Sequence, residues 1–185
     1  CCCMSEVDKP FEIPAHWEWT RFDLITTSSR NGLSKRSGKV GNPMRVLRLA
    51  DIKRGEIDDT NPREIFLTSD EREKYSLDED DILCIRVNGS TNLTGRFIRF
   101  REVRKWAYCD HFIRYRINES EADPKYIRYL GDTSIARRHI KSHMVSTAGQ
   151  NTVSQSTIGG LPVPLPPLPE QRRIVAKIEE LFSNL

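Results

Sequence analysis

The segment Asp81-Ile82-Leu83-Cys84-Ile85-Arg86-Val87 is the most strand-like stretch of this chain of 185 residues, and it anchors the predicted sheet. Apolar side chains occupy nearly every position, which is typical of a buried strand. The stretch ends at Asn88-Gly89-Ser90, a turn sequence that tolerates positive φ. Working outward from it, we predict further strands at 45–52, 64–67, 93–98, 106–109 and 112–117.

Helices are predicted from their start signals. Thr68 or Ser69 caps a short acidic segment, and Asp123-Pro124 combines an N-cap oxygen with a proline suited to the first helical position. Asp132, Thr133 and Ser134 can cap the next helix. The polar stretches 26–43 and 147–157 are predicted to be loops. The mixture of strands and helices predicts an α+β fold with a mixed sheet.

Length and composition limit the protein class. A chain of 185 residues fits one domain, or one domain with an appended element. With 29 basic and 26 acidic residues, the net charge of +3 excludes a histone-like polycation and an acidic disordered tail. The sequence contains neither a transmembrane-length apolar run nor a signal-peptide pattern.

The cysteines point to an intracellular protein. Cys1-Cys2-Cys3 precede Met4, and we interpret them as residues added ahead of the natural start. Cys84 and Cys109 lie in apolar runs without a Cys-x-x-Cys spacing, so neither a zinc site nor a disulfide framework is predicted. Two buried free thiols fit the reducing cytoplasm.

Charge is strongly segregated along the chain. Residues 30–54 sum to +7, residues 55–81 to −8 and residues 82–116 to +6. A protein that binds phosphate on one face would show this pattern, and so would a protein whose charged faces are merely solvated. The segregation alone therefore leaves both interpretations open.

Two polar segments carry the side chains that could read bases. Residues 86–92 (RVNGSTN) place a cation, amides and hydroxyls on one turn, and residues 147–152 (TAGQNT) repeat this chemistry. Amide side chains can bond adenine in a bidentate manner, and arginine can bond guanine or phosphate. An ordinary hairpin turn and a solvated loop explain the same residues equally well.

Catalytic motifs are largely missing. The sequence has no glycine-rich cofactor loop, no P-loop and no acid-Pro-Pro-aromatic methyltransferase motif. Asp110 with Asp123-Pro124-Lys125 matches a metal-nuclease pattern, but helix capping explains Asp123. His139 and His143 have i, i+4 spacing, which favourable cations at a helix C-terminus also explain. We predict no catalytic residue and no metal site.

The C-terminal region reads as a stiff connection followed by a helix. Residues 161–169 contain five prolines and must be extended. Residues 170–185 form an amphipathic helix, expected to continue beyond this chain, which either packs on its own domain or pairs with a helix of a second copy or second half. Its apolar stripe comprises Ile174, Val175, Ile178, Leu181 and Phe182.

A series of motifs then resembles one family. The motifs are Pro14-x-x-Trp17-x-Trp19, 47–52 (LRLADI), Gly55-x-Ile57, 81–83 (DIL), Arg86-x-Asn88-Gly89-Ser90, Thr94-Gly95-Arg96, the paired helices in 126–140, 147–150 (TAGQ) and 165–175 (LPPLPEQRRIV). Over residues 12–185 the chain resembles the target-recognition domain of a specificity subunit from type I restriction-modification systems. The resemblance divides it into a lead-in (1–11), a recognition domain (12–160), a proline-rich strut (161–169) and the start of a spacer helix (170–185).

The resemblance implies a non-catalytic cytoplasmic subunit. Such a subunit binds double-stranded DNA and holds methylation subunits and a restriction subunit. It needs no cofactor itself, because S-adenosylmethionine is bound by the methylation subunit. Pairing of two copies through the C-terminal helix would fit a chain that carries one recognition domain.

On this hypothesis, the cations of the basic blocks contact DNA and the polar loops read one half-site. The candidate DNA-binding cations are Arg30, Lys35, Arg36, Lys39, Arg45, Arg86, Arg96, Arg104 and Lys105. The candidate base-reading residues are Asn88, Ser90, Thr91, Asn92, Gln150 and Asn151. The alternatives are a protein-interaction module and a metal-dependent nuclease.

Overall fold

A computed structural model describes residues 9–184. The strands are β1 (Glu18–Arg21), β2 (Thr26–Asn31), β3 (Asn42–Leu47), β4 (Ile52–Lys53), β5 (Glu56–Ile57), β6 (Glu64–Leu67), β7 (Ile82–Ile85), β8 (Val87–Asn88), β9 (Phe97–Arg99), β10 (Ala107–Tyr108), β11 (Phe112–Ile117), β12 (Val145–Thr147), β13 (Gln150–Thr152) and β14 (Pro162–Leu165). The helices are α1 (Ser69–Tyr75), α2 (Pro124–Leu130), α3 (Ser134–His143), α4 (Gln155–Gly159) and α5 (Leu168–Ser183), with 3-10 turns at Phe22–Ile25 and Leu49–Asp51. The α+β prediction is confirmed. The interpretation of Cys1-Cys2-Cys3 and Met4 lies outside the described residues.

The central element is an antiparallel sheet of four strands in the order β2-β11-β7-β9. Successive side chains of a strand point to opposite faces, and both faces of β7 are covered. Ile82 and Cys84 enter one hydrophobic core, whereas Leu83 and Ile85 enter a second. Burial on both faces explains why the opening segment is apolar at nearly every position.

Different partners cover the two faces of this sheet. The first core contains residues of α2, α3, α4, α5 and β14, with Phe22 packed edge-on against Tyr115 at a centroid distance of 5.0 Å. The second core lies against a sheet in the order β10-β3-β6, in which β10 runs parallel to β3. Tyr108 and Phe100 are fully buried there.

Local capping signals fix three helix starts as the sequence predicts. Thr68 accepts a hydrogen bond from the Glu71 amide, and the Glu71 carboxylate accepts one from the Thr68 amide, which is a complete capping box. The Asp123 carboxylate accepts from the Lys125 amide at the start of α2. Thr133 caps α3 by accepting from the Ala136 amide.

The two predicted loops contain regular structure, so those predictions are wrong in part. Residues 26–31 form the edge strand β2, because β11 supplies the backbone partners that a polar sequence does not reveal. Residues 145–152 form the hairpin β12–β13, and 155–159 form α4. The predicted strand over 45–52 divides into the end of β3, a 3-10 turn and the start of β4.

The C-terminal region is joined to the rest of the fold. The proline-containing strand β14 pairs antiparallel with β1 in a two-stranded ribbon, where prolines are tolerated at the edge. Helix α5 begins at Leu168, two residues before the predicted start. The buried Gln171 amide donates to the carbonyls of Glu121 and Pro166 and accepts from the Asp123 amide. These bonds lock the first turn of α5 onto α2.

Candidate nucleic-acid interface

One end of the central sheet gathers most of the polar residues singled out by the sequence. Neighbouring positions across the sheet are Asn31, Ile113, Cys84 and Phe97, so β2 and β7 end where β11 and β9 begin. We call this the polar end; it comprises residues 29–36, 86–96, 109–111 and 147–151. Because four strand ends meet there, loops that are distant in sequence lie side by side.

The two predicted base-reading loops are joined directly by backbone pairing. Strand β13 pairs with β8, with Asn151 opposite Asn88. The Asn151 amide donates to the carbonyls of Asn88 at 3.3 Å and Gly89 at 3.0 Å, and its carbonyl oxygen accepts from the Ser146 hydroxyl. Asn151 is only 6% exposed. Its amide therefore holds the two loops together and is not available to a base.

The loop after β8 is braced from inside. The Asn88 side chain accepts from the Ser90 amide at 2.8 Å, and the buried Thr94 hydroxyl donates to the Ser90 carbonyl at 3.0 Å. Fixing these polar groups leaves the side chains of Thr91 and Asn92 exposed at the loop surface. Gln150, on the neighbouring hairpin, is exposed as well.

Arg137 supports the 86–96 loop from α3, a contact that sequence reasoning missed. Its Nη2 donates to the carbonyls of Thr91, Asn92 and Thr94 at 3.1, 3.2 and 2.9 Å. Burial, and next the charge of Arg96, lower the pKa of this guanidinium. Its acceptors lie 43 to 46 positions earlier in the sequence, so no local signal identified Arg137 as a brace of the loop.

The cations at the polar end differ in their availability. Arg30 is exposed on β2, and no carboxylate within residues 9–184 forms an ion pair with it. Arg36 pairs with Asp110 at 2.8 Å, and the Arg86 Nε donates to the Asp110 carbonyl at 3.0 Å. Arg96 is bound by Asp132 and by the Asn92 carbonyl.

A polar bridge on the β2 side extends this surface and was also missed. Gln155, at the first turn of α4, accepts from the Ser29 hydroxyl at 2.6 Å and donates to the Asn31 side chain at 3.0 Å. It ties the edge strand β2 to the segment that follows β13. Sequence reasoning placed Gln155 in a loop, which hid its position opposite β2.

Other predicted cations lie at the margin of the polar end or away from it. Lys35 is paired with Glu71 at 2.8 Å, and this partner is the main cause of the lowered pKa of the Glu71 carboxyl. The Arg45 guanidinium lies 3.8 Å from the Trp106 ring centroid. Lys105 pairs with Asp78 at 3.1 Å at the opposite end of the sheet.

The remaining two candidate DNA-binding cations also lie away from the polar end. Arg104 is exposed in the loop beside Lys105, after β9 has ended. Lys39 is exposed in the segment that runs along β6, where the backbone of Gly41 closely approaches the Leu67 carbonyl. The DNA-binding roles of these five cations stay predictions, and the polar end does not include their side chains except for Lys35 at its margin.

The residues of the nuclease pattern do not come together. Asp110 precedes β11 and Asp123 follows it, so a strand of six residues, about 20 Å long, separates the two carboxylates. Asp123 caps α2, as the structural alternative predicted. The geometry thus contradicts this nuclease alternative.

Two histidine-containing groups have ligand chemistry. The His139 and His143 rings stack at 4.5 Å, but His139 Nε2 donates to the Thr157 carbonyl and His143 Nδ1 to the His139 carbonyl. At the polar end, His111 Nδ1 lies 3.7 Å from Cys109 Sγ and 3.3 Å from an Asp110 oxygen. This second group could hold a metal ion, although burial raises the pKa of the Cys109 thiol and Arg36 occupies the Asp110 carboxylate.

The apolar stripe of α5 divides into a packed half and an exposed half. Val175 is buried in the first core, and Ile174 packs against that core. Leu181 and Phe182 are 57% and 64% exposed, and together with Ile178 they line a 480 Å³ groove against α2. The first half thus packs on its own domain, and pairing of the second half with another helix stays a prediction. None of the helices in residues 9–184 combines the length and apolar character needed to cross a membrane.

Comparison with known proteins identifies related chains. The chain is 42% identical over 168 residues to the type I restriction enzyme StySPI specificity subunit of Salmonella potsdam, covering 90% of this chain and 36% of the relative. It is 30% identical over 184 residues to the EcoKI specificity subunit of Escherichia coli K12, covering 97% of this chain and 39% of the relative. The chain therefore spans little more than a third of the length of these curated relatives.

Solved structures agree in fold. The crystal structure of the HsdS subunit from Thermoanaerobacter tengcongensis superposes with a TM-score of 0.71 at 22% identity, covering 95% of this chain and 44% of the other. Residues 49–185 match the profile of the type I restriction modification DNA specificity domain. The matched region includes the 86–96 loop, the β12–β13 hairpin and α5. The chain thus belongs to the type I restriction-modification DNA specificity family.

Proposed function

We propose that this chain recognises one half of a DNA target in a type I restriction-modification system. It binds double-stranded DNA through the polar end, with the 86–96 loop and the 147–150 hairpin tip directed at base edges. The observation that carries this proposal is the pairing of β13 with β8, which joins the two polar loops into one surface. Membership of the specificity family supports it.

The exposed and the braced side chains have different roles in this proposal. Thr91, Asn92 and Gln150 are exposed and carry the hydrogen-bonding groups that read base edges in the major groove. Asn151 and Arg137 hold the surface in shape, because their polar groups are bound to backbone carbonyls. A pre-shaped surface loses less conformational entropy when it binds.

Positive charge near these loops positions the duplex. Arg30 and Arg86 have no carboxylate partner within the described part of the chain and can each neutralise a phosphate. Arg36 would exchange its exposed pair with Asp110 for a phosphate contact, at small cost because surface ion pairs contribute little. Phosphate contacts set affinity and register, and the base contacts set the sequence.

The partners follow from the family. We propose that the chain directs methylation subunits and a restriction subunit to their target and takes no part in catalysis itself. S-adenosylmethionine belongs to the methylation subunit in this proposal, and this chain needs no cofactor. Helix α5 begins the spacer toward the second half-site, and its 16 residues span about 24 Å.

The test is selection of DNA from a random duplex pool by the full chain at low salt, followed by titration of the selected duplex. Arg30→Gln is compared with Arg173→Gln, because both cations are exposed but Arg173 lies on α5 and only Arg30 lies at the polar end. We expect Arg30→Gln to reduce the salt slope of binding by about one and Arg173→Gln to leave it unchanged.

Two results would contradict the proposal. Equal slopes for the two variants would place the DNA on another face. A pool that shows no enrichment and no retardation at low salt would favour the alternative of a protein-interaction module.

A further inference from the structure

We propose that Arg54, at the tip of the β4–β5 hairpin, binds a DNA phosphate in a groove that continues the polar end. This inference rests on the proposed function and adds a residue and a strand path to it. The hairpin and the 86–96 loop form the two walls of the groove, and α2 closes one side. Its volume is 480 Å³, and it shares Asn88 and Arg96 with the polar end.

The backbone at Arg54 is unusual for an arginine. Ile52 pairs with Ile57 and Lys53 with Glu56, which leaves Arg54 and Gly55 as a two-residue turn. Both residues have positive φ, +54° and +81°. Turns of this kind favour Asn-Gly, and a side chain as long as that of arginine is seldom found in the left-handed region. The turn geometry therefore does not explain an arginine at this position.

Internal contacts do not explain the arginine either. Neighbouring cations have carboxylate partners, since Lys53 pairs with Asp58 and Arg101 with Glu56. Arg54 is exposed, and throughout residues 9–184 no acidic side chain forms an ion pair with it. An arginine that has positive φ and no ion-pair partner in residues 9–184 is a candidate for a functional role.

The lining of the groove is chemically complementary to a nucleic-acid strand. Three of its lining side chains are cations, Arg54, Arg96 and Arg128, and one is an acid, Asp132, so their charges sum to +2. Asp132 is bound to both Arg96 and Arg128, which leaves Arg54 as the cation free to take an incoming anion. The apolar part of the lining suits the sugar edges of a backbone; it consists of Leu49, Ile52, Ile85, Leu93 and Ile98.

Continuity with the polar end selects DNA backbone over a small anion. Asn88 lines the groove and lies on β8, the strand that pairs with β13. A duplex bound at the polar end would therefore carry one backbone past Arg54. Guanidinium groups bind phosphate well, and a contact to phosphate carries no sequence information.

The decisive variant is Arg54→Asn, which removes the cation and keeps the turn, because asparagine tolerates positive φ. We expect it to raise the Tm while weakening binding of the selected duplex about tenfold at low salt. The salt slope should fall by about one, equally for matched and unmatched duplexes. Arg173→Gln, which removes an exposed cation of α5, should change neither the affinity nor the salt slope.

Arg54→Lys separates phosphate binding from base reading. Lysine keeps the charge as a point contact, so most of the affinity should remain. A loss for either variant that appears only with the matched duplex would overturn the phosphate assignment in favour of a base contact. A lower Tm for Arg54→Asn would show that the side chain serves the fold, which also overturns the inference.

The outcome for the wild-type chain separates this inference from the proposed function. Binding by the wild-type chain with unchanged binding by Arg54→Asn would refute the role of Arg54 and leave the polar end intact. Failure of the wild-type chain to retain any duplex would refute the proposed function itself.

Discussion

Replacing Asn151 with alanine tests whether this amide joins the two polar loops. The change removes two donated hydrogen bonds, to the Asn88 carbonyl at 3.3 Å and the Gly89 carbonyl at 3.0 Å. The Asn88 carbonyl keeps a long bond from the Thr94 hydroxyl, and Gly89 is exposed to water. The exposed Ser146 hydroxyl also loses its acceptor but can bond water instead. The loss is therefore mainly that of two ordinary bonds and not of a stranded buried group.

Two such bonds correspond to about 2 kcal/mol of unfolding free energy. For a domain of this size, that loss lowers the Tm by about 4–8 °C. Thermal and urea unfolding followed by circular dichroism measure both quantities. Gln150→Ala is the matched control, because Gln150 is the exposed neighbour on the same hairpin and should change stability by less than about 0.5 kcal/mol.

The two variants should also differ in how they change DNA binding. Asn151→Ala loosens the whole surface, so it should weaken binding to all duplexes alike. Gln150→Ala should cost about 1–3 kcal/mol at one base position and relax the sequence requirement there. If Asn151→Ala were as stable as Gln150→Ala, or relaxed a single base position, the assignment of Asn151 as a brace would be refuted.

Three further predictions concern stability and association. Gly95 and Gly149 have similar φ, +77° and +79°, but an added Cβ lies 2.5 Å from Ile140 at Gly95 and meets nothing within 4 Å at Gly149. Gly149→Ala should therefore lower the free energy of unfolding in urea by about 1–2 kcal/mol, and Gly95→Ala should lower it by about 1–3 kcal/mol more. Equal losses would contradict the close contact between Gly95 and Ile140. Burial lowers the pKa of His139 below 6.5, so the folded state favours the neutral ring. This contribution is full above the unfolded pKa and is lost as pH falls through the folded pKa, so the Tm should drop between pH about 7 and about 5. In His139→Gln the Tm should depend less on pH. If the Tm of the variant fell with pH as steeply as that of the wild-type chain, another group would be responsible. Phe182→Glu should leave the Tm unchanged, because the side chain is 64% exposed. If the wild-type chain self-associates in sedimentation, this variant should associate less. Equal association of the variant and the wild-type chain would exclude the exposed half of the α5 stripe as the contact.

Elements encoded by adjacent residues could be predicted from the sequence. The capping box of Thr68 and Glu71 and the cap at Asp123 act over two or three residues, so the sequence shows both partners at once. The strand β7 is equally visible, because burial on both faces leaves an uninterrupted apolar run. Family motifs add the identity of the domain.

Elements that depend on distant partners could not be predicted in this way. The edge strand β2 has the sequence TTSSRN, and only its pairing with β11 makes it a strand. The bond from Asn151 to Asn88 joins residues 63 positions apart, so the structural role of Asn151 was invisible while its amide resembled a base reader. Arg137 was missed because its acceptors are carbonyls of another loop.

The charge blocks of the sequence do not predict where unpaired charge lies on the surface. The acidic block 55–81 supplies partners to both basic blocks, including Glu71 for Lys35, Asp59 for Arg45 and Asp78 for Lys105. Ion pairs between blocks cancel much of the segregation in space. Availability of a cation therefore follows from its local partners, and this is what distinguishes Arg30 and Arg54 from most of their neighbours.

The most direct test is a genome-wide map of methylated bases in cells that express this chain with its cognate methylation subunits. In cells that express the chain with Asn92→Ala and Gln150→Ala, the methylated sites should have a sequence that is relaxed or altered in the half that this chain reads. An identical methylated sequence for the wild-type chain and this double variant would contradict the claim that the exposed loops beside Asn151 read the DNA.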